Sequence, residues 1–170
     1  RGYDSAGLAI FDEAEKVKVF KSTGKVSELQ NSIDSNPVNG NTGIAHTRWA
    51  THGLPTEANA HPHHSNNQVF VIHNGIIENH QEIRTTLKAL GYVFESETDT
   101  EVIAHLIHAK MAEKNLPLTE ALKLAVKDLR GAYAIGAVCE SQPGILAAAR
   151  KGSPLVVGMG HGENFIASDQ

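Results

Sequence analysis

The densest group of chemically versatile side chains in this sequence is the stretch 45–53, A-H-T-R-W-A-T-H-G. It holds two histidines, two threonines, an arginine and the only tryptophan of the chain. The guanidinium of Arg48 is a rigid fork of N–H donors that can hold a carboxylate or a phosphate in one orientation. The ordinary alternative is that Arg48 pairs with a nearby acid at the surface and Trp49 fills the core. These residues alone leave both interpretations open.

The residues around this stretch indicate a strand that ends in a polar loop. β-branched and apolar residues, Thr42, Ile44 and Ala45, lead into it, and Gly53 and Pro55 interrupt the chain after it. Loops at the ends of strands often carry functional residues, because a rigid scaffold positions them. The stretch is therefore a candidate binding loop.

The hydrophobic spacing of the whole chain predicts two strands, a helix, two strands, three helices and then four strands. The predicted strands are 8–11, 16–21, 42–45, 69–73, 132–139, 145–149, 155–159 and 165–167, and the helices begin near 27, 79, 98 and 119. Strands joined by short turns pair antiparallel. Segregated runs of strands and helices favour an α+β fold, with packed sheets covered by helices, over a parallel α/β fold.

Local signals predict where the helices start. Ser27 with Gln30 and Thr98 with Glu101 have capping-box spacing, and Thr119 can cap the last helix. An Asn-Gly pair after an apolar run usually marks a hairpin. Here the pair at 74–75 is followed at once by a helix signal at position 79, so a strand-to-helix turn is predicted.

Composition excludes several classes of function. A net charge of −4 and a pI near 6.2 leave no basic stripe for nucleic acid. No run approaches 18 apolar residues, so no membrane span is predicted. The single Cys139 ends an apolar strand with no local base, which indicates a structural thiol in a reducing compartment, and a cytoplasmic location is expected. No cofactor is expected.

Histidines are concentrated in one third of the chain. They are His46, His52, His61, His63, His64 and His73. Zinc or iron sites need several such ligands to converge, but no H-E-x-x-H or C-x-x-C motif is present, and 63–64 fall in a predicted irregular loop. A metal site is therefore the less favoured interpretation.

Four residues on separate predicted elements could form a polar pocket. Arg48 could bind a carboxylate, and Asp99 could bind an ammonium group or simply complement a helix dipole. Asn74 and Gly75 offer a side-chain amide and a backbone N–H, as an oxyanion hole requires, or they serve ordinary turn chemistry. Together these groups would suit an α-amino acid undergoing acyl transfer. Spacing alone does not show that they converge.

Longer motifs indicate one particular protein family. The matching segments are R-G-Y-D-S-A-G (1–7), H-T-R-W-A-T-H-G (46–53), A-H-P-H (60–63), H-N-G-I-I-E-N (73–79), S-E-T-D-T-E-V-I-A-H (96–105), L-R-G-A-Y (129–133) and the segment 152–169. In this order they resemble the glutaminase domain of glutamine–fructose-6-phosphate aminotransferase, and the resemblance covers nearly the whole chain. Other class II amidotransferases, such as amidophosphoribosyltransferase, share fewer of these elements.

The resemblance implies an N-terminal-nucleophile hydrolase fold, with four αββα layers in which helices enclose two antiparallel sheets. It implies that residues 1–170 belong to one glutaminase domain. That domain hydrolyses L-glutamine to L-glutamate and ammonia. A separate sugar-phosphate isomerase domain then uses the ammonia to make glucosamine 6-phosphate, in a protein expected to be a homodimer.

The resemblance also implies roles for individual residues. Arg48 would bind the α-carboxylate of glutamine and Asp99 its α-ammonium group. Asn74 and Gly75 would form the oxyanion hole. Two further residues, Thr51 and His52, would line the pocket, and Trp49 would lie where ammonia leaves.

The sequence departs from the family pattern at the nucleophile. The family uses a cysteine at the mature N-terminus, whose own α-amino group acts as the base. The chain begins at Arg1 without that cysteine, so both ends are expected to be truncated and residues 1–170 alone are expected to be inactive. The competing hypothesis is a non-catalytic module that binds an amino acid or a metal.

Overall fold

The computed structural model describes residues 3–49 and 53–169, and in this part of the chain nine strands and four helices follow one another. The strands are β1 (Ser5–Phe11), β2 (Val17–Thr23), β3 (Gly43–Arg48), β4 (His63–Ser65), β5 (Val69–Ile77), β6 (Gly131–Cys139), β7 (Ala147–Lys151), β8 (Val156–Met159) and β9 (Asn164–Ala167). The helices are α1 (Val26–Ser35), α2 (His80–Ala89), α3 (Glu101–Lys114) and α4 (Leu118–Asp128). Within the described residues no helix is long and apolar enough to cross a membrane.

The strands form three antiparallel sheets. The first has the order β2-β1-β3, the second β4-β5-β6-β7, and β8 pairs with β9 in a hairpin. Gly160 closes this hairpin by donating its N–H to the carbonyl of Glu163. Antiparallel pairing throughout confirms the prediction from the short connections.

The side chains of β5 alternate between two cores. Phe70 packs between the first two sheets, against Ile44 and Val138. Val69 and Val71 point to the other face, into a larger core with helices α2, α3 and α4. Helix α1 packs on β1 and β2, while β3 contacts β5 and β6. The order helix, sheet, sheet, helices is the four-layer α+β sandwich predicted from the sequence.

The strand β5 extends further than predicted. Asn74 and Gly75 lie within it, opposite Ala134 and Tyr133 of β6, and pairing continues to Ile77. The predicted strand-to-helix turn at 74–75 was therefore wrong. Long-range pairing with β6 satisfies the backbone at these positions, and it overrides the local turn preference of an Asn-Gly pair.

The predicted helix caps were also wrong, although all four helices are present. Helix α1 begins after Lys25 without a side-chain cap, and Gln30 instead donates to Asp34. Helices α3 and α4 begin after Thr100 and Pro117, again without side-chain caps. Asn79, which precedes α2, bonds to the distant backbone at 128 and 130. Several side chains that local spacing would assign to caps instead form hydrogen bonds with other partners.

The histidine-rich segment is more ordered than predicted. His63, His64 and Ser65 form the short strand β4, which pairs with Val69–Val71 of β5. The prediction of an irregular loop at 63–64 was therefore wrong. His105 is also buried and bonds to Ser65 across the helix–sheet interface.

Candidate active site

A cavity of about 560 Å³ opens where β3, β5 and β6 meet the segment before α3. Its walls bring together five of the predicted site residues, Arg48, Trp49, Asn74, Gly75 and Asp99. The hairpin β8–β9 contributes Ile166 and Ala167 to the wall. Thr51 and His52, the other predicted site residues, lie outside the described part of the chain. The convergence that spacing could not demonstrate is thus present in the fold.

Strand alternation explains how β3 delivers its functional side chains. Ile44, His46 and Arg48 share the inward face, whereas Ala45 and Thr47 are exposed on the other. Every second side chain of β3 therefore faces inward, first Ile44 in the core and then His46 and Arg48 in the cavity wall. The same alternation, read in the sequence, would have grouped His46 with Arg48.

Arg48 combines parts of both interpretations left open by the sequence. Its side chain is buried, so it is not a surface arginine. It nevertheless pairs with an acid, since Nη1 lies 3.3 Å from Asp4 Oδ1. The guanidinium also donates to the carbonyl oxygens of Leu54 and Gly53, both at 3.3 Å. It is therefore held against the loop while lining the cavity.

Trp49 is 65% exposed at the wall of the cavity. The alternative that this tryptophan fills the core is wrong. The exposed Trp49 is therefore part of the cavity lining.

Gly75 occupies a position that only glycine fits. Its φ is +132°, and a Cβ placed there would lie 2.0 Å from the carbonyl oxygen of Ala132. The close approach of β6 therefore excludes any side chain from this part of the cavity wall. Asn74, one residue earlier, is half-buried and presents its amide to the same space.

Asp99 is buried and immediately precedes Thr100, the N-cap residue of α3. Its Oδ2 accepts a 2.8 Å hydrogen bond from the backbone N–H of Ile77, at the end of β5. The carboxylate thus joins the strand that carries Asn74 to the segment before α3. This long-range hydrogen bond fixes the position of the Asp99 carboxylate in the cavity wall.

The segment that precedes Asp99 is fixed from both sides. The carboxylate of Glu101 accepts hydrogen bonds from the backbone N–H groups of Glu95 and Ser96, both at 2.8 Å, and from the Ser96 hydroxyl at 2.6 Å. Arg84 of α2 donates to the carbonyl oxygens of Ser96 and Thr98. This part of the cavity wall is therefore held by charge-assisted hydrogen bonds.

The environment of Glu101 changes its acidity. Burial raises the pKa of its carboxyl group, but the hydrogen bonds from His105, Ser96 and the two backbone N–H groups outweigh burial and lower the pKa from 4.5 to about 2. The folded protein therefore keeps Glu101 ionised at pH values where the unfolded chain binds a proton.

Glu101→Gln is expected to destabilise the 170-residue chain by about 1–3 kcal/mol at pH 7, because it removes a charged acceptor of several hydrogen bonds. The lowered pKa stabilises the fold fully above about pH 4.5, and this contribution is lost as the pH falls toward 2. Denaturant unfolding at several pH values should show the gap between wild type and variant closing over this range. Glu113→Gln, on the exposed face of the same helix, is the matched control. Parallel pH profiles for wild type and Glu101→Gln would contradict the assignment.

Along the cavity wall, the half-buried His46, two buried imidazoles and a threonine form a continuous hydrogen-bonded chain. His46 Nε2 lies 2.8 Å from Asn74 Oδ1, and His46 Nδ1 lies 2.9 Å from His61 Nδ1. His61 Nε2 and His73 Nδ1 both lie 3.0 Å from the hydroxyl of Thr100. The chain ends on the predicted oxyanion-hole residue.

These imidazoles are neutral near pH 7. Burial lowers the pKa of His46, although its hydrogen bond to Asn74 partly opposes this. Burial, reinforced by the neighbouring His46, lowers the pKa of His61 well below its ordinary value. Burial also lowers the pKa of His73, against the opposing charge of Asp99. Each ring therefore has one N–H donor and one acceptor nitrogen.

The histidine cluster is engaged in hydrogen bonds. Besides the chain above, His63 Nε2 bonds to the hydroxyl of Thr98 at 3.0 Å. No group of three or more His, Cys, Asp or Glu side chains among residues 3–49 and 53–169 is arranged to hold a metal ion. His46, His61 and Thr100 are cavity residues that the sequence interpretation did not assign to the site.

Comparison with known proteins agrees with this geometry. The profile of the glutamine amidotransferase domain family matches residues 46–170. The chain belongs to the glutamine amidotransferase family. The match includes the end of β3, β5, β6 and the segment before α3, which are the elements that form the cavity.

Glutamine amidotransferases of known name align along the whole chain. The glutamine–fructose-6-phosphate aminotransferase (isomerizing) of Pseudomonas putida is 60% identical over 171 residues, which cover 100% of this chain and 28% of the relative. The protein of the same name from Escherichia coli is 55% identical over 170 residues, with the same coverage. The chain thus spans 28% of the length of these curated relatives.

Three solved structures share the fold. The glutamine phosphoribosylpyrophosphate amidotransferase of Bacillus subtilis, complexed with ADP and GMP, superposes with a TM-score of 0.77 at 30% identity, covering 97% of this chain and 35% of that one. The allosteric regulatory enzyme of purine biosynthesis gives 0.81 at 30% identity, covering 98% and 36%. A class-II glutamine aminotransferase domain protein from Silicibacter pomeroyi gives 0.65 at 14% identity, covering 96% and 79%, which shows the fold alone. The predicted N-terminal-nucleophile hydrolase fold is confirmed.

Proposed function

We propose that the cavity binds L-glutamine and supports hydrolysis of its side-chain amide to L-glutamate and ammonia. One observation carries the proposal: a buried cation, a buried anion and an amide donor, Arg48, Asp99 and Asn74, line a single cavity. An α-amino acid carries the complementary charges on adjacent groups. Its side-chain carbonyl then extends toward the amide donor.

Binding of the α-amino acid rests on charge complementarity. Arg48 attracts the α-carboxylate and Asp99 attracts the α-ammonium group, each in a site shielded from water. Hydrogen bonds to charged groups in such sites contribute about 1.5–3 kcal/mol each. A ligand that lacks either charged group therefore loses about 10- to 100-fold in affinity.

Hydrolysis needs stabilisation of the oxyanion that forms when the amide carbonyl is attacked. The side-chain amide of Asn74 and the backbone N–H of Gly75 provide this stabilisation in the proposed mechanism. Donors fixed before the reaction are effective because they do not reorganise as charge develops.

The attacking thiol is a cysteine outside residues 1–170 in this proposal. Cys139 is fully buried in the core between the second sheet and the helices, and it is not a cavity residue. The thiol is buried, as expected for the apolar strand that carries it. The proposed nucleophile instead approaches from the open side of the cavity, with its own α-amino group as the base.

The proposal extends to the complete protein. Ammonia released in the cavity passes Trp49 to a sugar-phosphate isomerase domain, which makes glucosamine 6-phosphate from fructose 6-phosphate. Thr51 and His52 complete the glutamine pocket, residues 1–170 form one glutaminase domain, and the protein is a cytoplasmic homodimer. The 60% identity to a glutamine–fructose-6-phosphate aminotransferase supports this acceptor over the phosphoribosyl acceptor of the 30% identical Bacillus subtilis enzyme.

The affinities of ligands that lack one charged group test the proposed roles of Arg48 and Asp99. Calorimetry on the complete protein compares L-glutamate with glutarate, which lacks the α-ammonium group, and with 4-aminobutyrate, which lacks the α-carboxylate. Wild type is expected to bind glutamate at least 10-fold more tightly than either analogue. Asp99→Asn should abolish the preference over glutarate, and Arg48→Lys should reduce the preference over 4-aminobutyrate.

Two controls make this experiment decisive. Arg150→Lys, on an exposed position of β7, should leave every affinity unchanged, and Cys139→Ala should retain glutaminase turnover. Binding of zinc that depends on His61 and His63, without any binding of glutamate, would favour the metal-binding alternative. Equal loss of all three ligands in Asp99→Asn would indicate general damage to the fold and would contradict the assigned contact.

A further inference from the structure

The orientation of one amide determines the order of every proton in the buried chain. Asn74 presents its carbonyl oxygen, Oδ1, to His46 at 2.8 Å. A carbonyl oxygen only accepts, so His46 carries its proton on Nε2 and its Nδ1 is an acceptor. His61 must then donate from Nδ1 to His46 across the 2.9 Å contact.

The same reasoning continues to the end of the chain. With its proton on Nδ1, the neutral His61 accepts at Nε2. The donor is the hydroxyl of Thr100 at 3.0 Å, a shorter contact than the 3.5 Å from the same hydroxyl to Asp99 Oδ1. That hydroxyl has a single proton, so its oxygen accepts from His73 Nδ1–H, also at 3.0 Å. The remaining nitrogen, His73 Nε2, is buried with no hydrogen-bond partner among the described residues.

We propose that His46 is a positioning residue for the oxyanion hole, and that the ordered chain from His73 through Thr100 and His61 sets its tautomer. The inference rests on the proposed glutaminase function. His46 Nε2–H holds the carbonyl end of the Asn74 amide, so the planar group must turn its NH₂ end away from His46. The same bond polarises the amide and strengthens its N–H groups as donors.

The fold makes this arrangement rigid. His46 projects from β3 of the first sheet, and Asn74 projects from β5 of the second, so their hydrogen bond spans the two sheets. The rings of His46 and His61 are packed with their centroids 4.1 Å apart. An amide without this support could rotate and present its oxygen to the oxyanion, which would be repelled.

The proton order can be measured without any activity. Solid-state NMR of the complete protein labelled with ¹⁵N-histidine distinguishes protonated from unprotonated ring nitrogens, and single histidine substitutions assign the signals. Near pH 7.5 the expected result is His46 with its proton on Nε2 and His61 with its proton on Nδ1. A proton on His46 Nδ1 facing an unprotonated His61 Nδ1 would overturn the proposal.

Kinetics test the positioning role. His46→Phe removes the donor and is expected to lower kcat for glutamine hydrolysis by about 10- to 100-fold, with KM changed less than about threefold. His46→Gln retains an N–H that can reach Asn74, and it is expected to recover about tenfold of the loss. If His46→Phe does not fold, the comparison of His46→Gln with wild type still tests the role, because a raised KM with unchanged kcat would contradict it.

A double-mutant cycle separates positioning from general structural damage. If His46 acts through Asn74, adding His46→Phe to Asn74→Ala should lower kcat by less than about twofold further. An equal loss in both backgrounds would overturn the positioning role. A wild-type protein without glutaminase activity but with the expected proton order would refute the proposed function and the kinetic role, and would leave the hydrogen-bond order supported.

Discussion

Asn74→Ala in the complete protein is expected to lower kcat for glutamine hydrolysis by about 10²- to 10³-fold, the usual effect of removing one oxyanion-hole donor. KM for glutamine should change less than about threefold, because the donor bonds more strongly to the oxyanion than to the ground-state carbonyl. Steady-state assays of glutamate release measure both constants.

Two variants sharpen the Asn74 prediction. Asn74→Asp keeps the size and an oxygen for His46 but removes the NH₂ donor, so it should be as impaired as Asn74→Ala. Asn31→Ala, on an exposed position of α1, is the matched control and should be unchanged. Retention of activity by Asn74→Asp would show that the residue acts through packing and would remove it from the proposed mechanism.

Gly75→Ala is expected to destabilise the fold by about 4 kcal/mol or more, or to prevent folding. The new Cβ would lie 2.0 Å from the backbone oxygen of Ala132 and 3.0 Å from Tyr133 Cα. Both obstacles are backbone atoms of the paired strand β6, so they cannot move aside cheaply. Denaturant unfolding of the 170-residue chain measures the effect.

Gly91→Ala separates the close approach from the backbone conformation. Gly91 also has a positive φ, +91°, but a Cβ there would meet no atom within 4 Å. Its substitution should therefore cost only about 1 kcal/mol, for the left-handed conformation. Similar costs at the two glycines would contradict the argument that contact with β6 dominates at Gly75.

Local periodicity predicted the elements well where one face of an element meets the core. The stripe Ile83, Leu87 and Leu90 predicted α2. Ile83 and Leu87 are buried as expected, but Leu90, which follows the last residue of the helix, is 66% exposed. The alternation in β2 and the apolar run of β5 likewise identified strands. Such patterns are readable because burial acts on every turn of a helix or every second residue of a strand.

Predictions that depended on a single polar residue were less accurate. Thr98 was expected to cap α3, but its hydroxyl bonds to His63 and Ser96. The Asn-Gly pair at 74–75 was expected to turn the chain, but it lies inside β5. Polar side chains can form hydrogen bonds with residues nearby in the sequence or far from it, and sequence spacing does not distinguish the two cases.

The sequence by itself determined the chemistry available to this protein and its membership of the glutamine amidotransferase family. Arg48, Asp99, Asn74 and Gly75 are recognisable because their motifs are local and specific. Only the tertiary structure decided that these groups share one cavity, that Trp49 is exposed, and that His46 bonds to the Asn74 amide. The physical reason is distance along the chain: the contacts join β3, β5 and the segment before α3, and the packing of the two sheets sets their geometry.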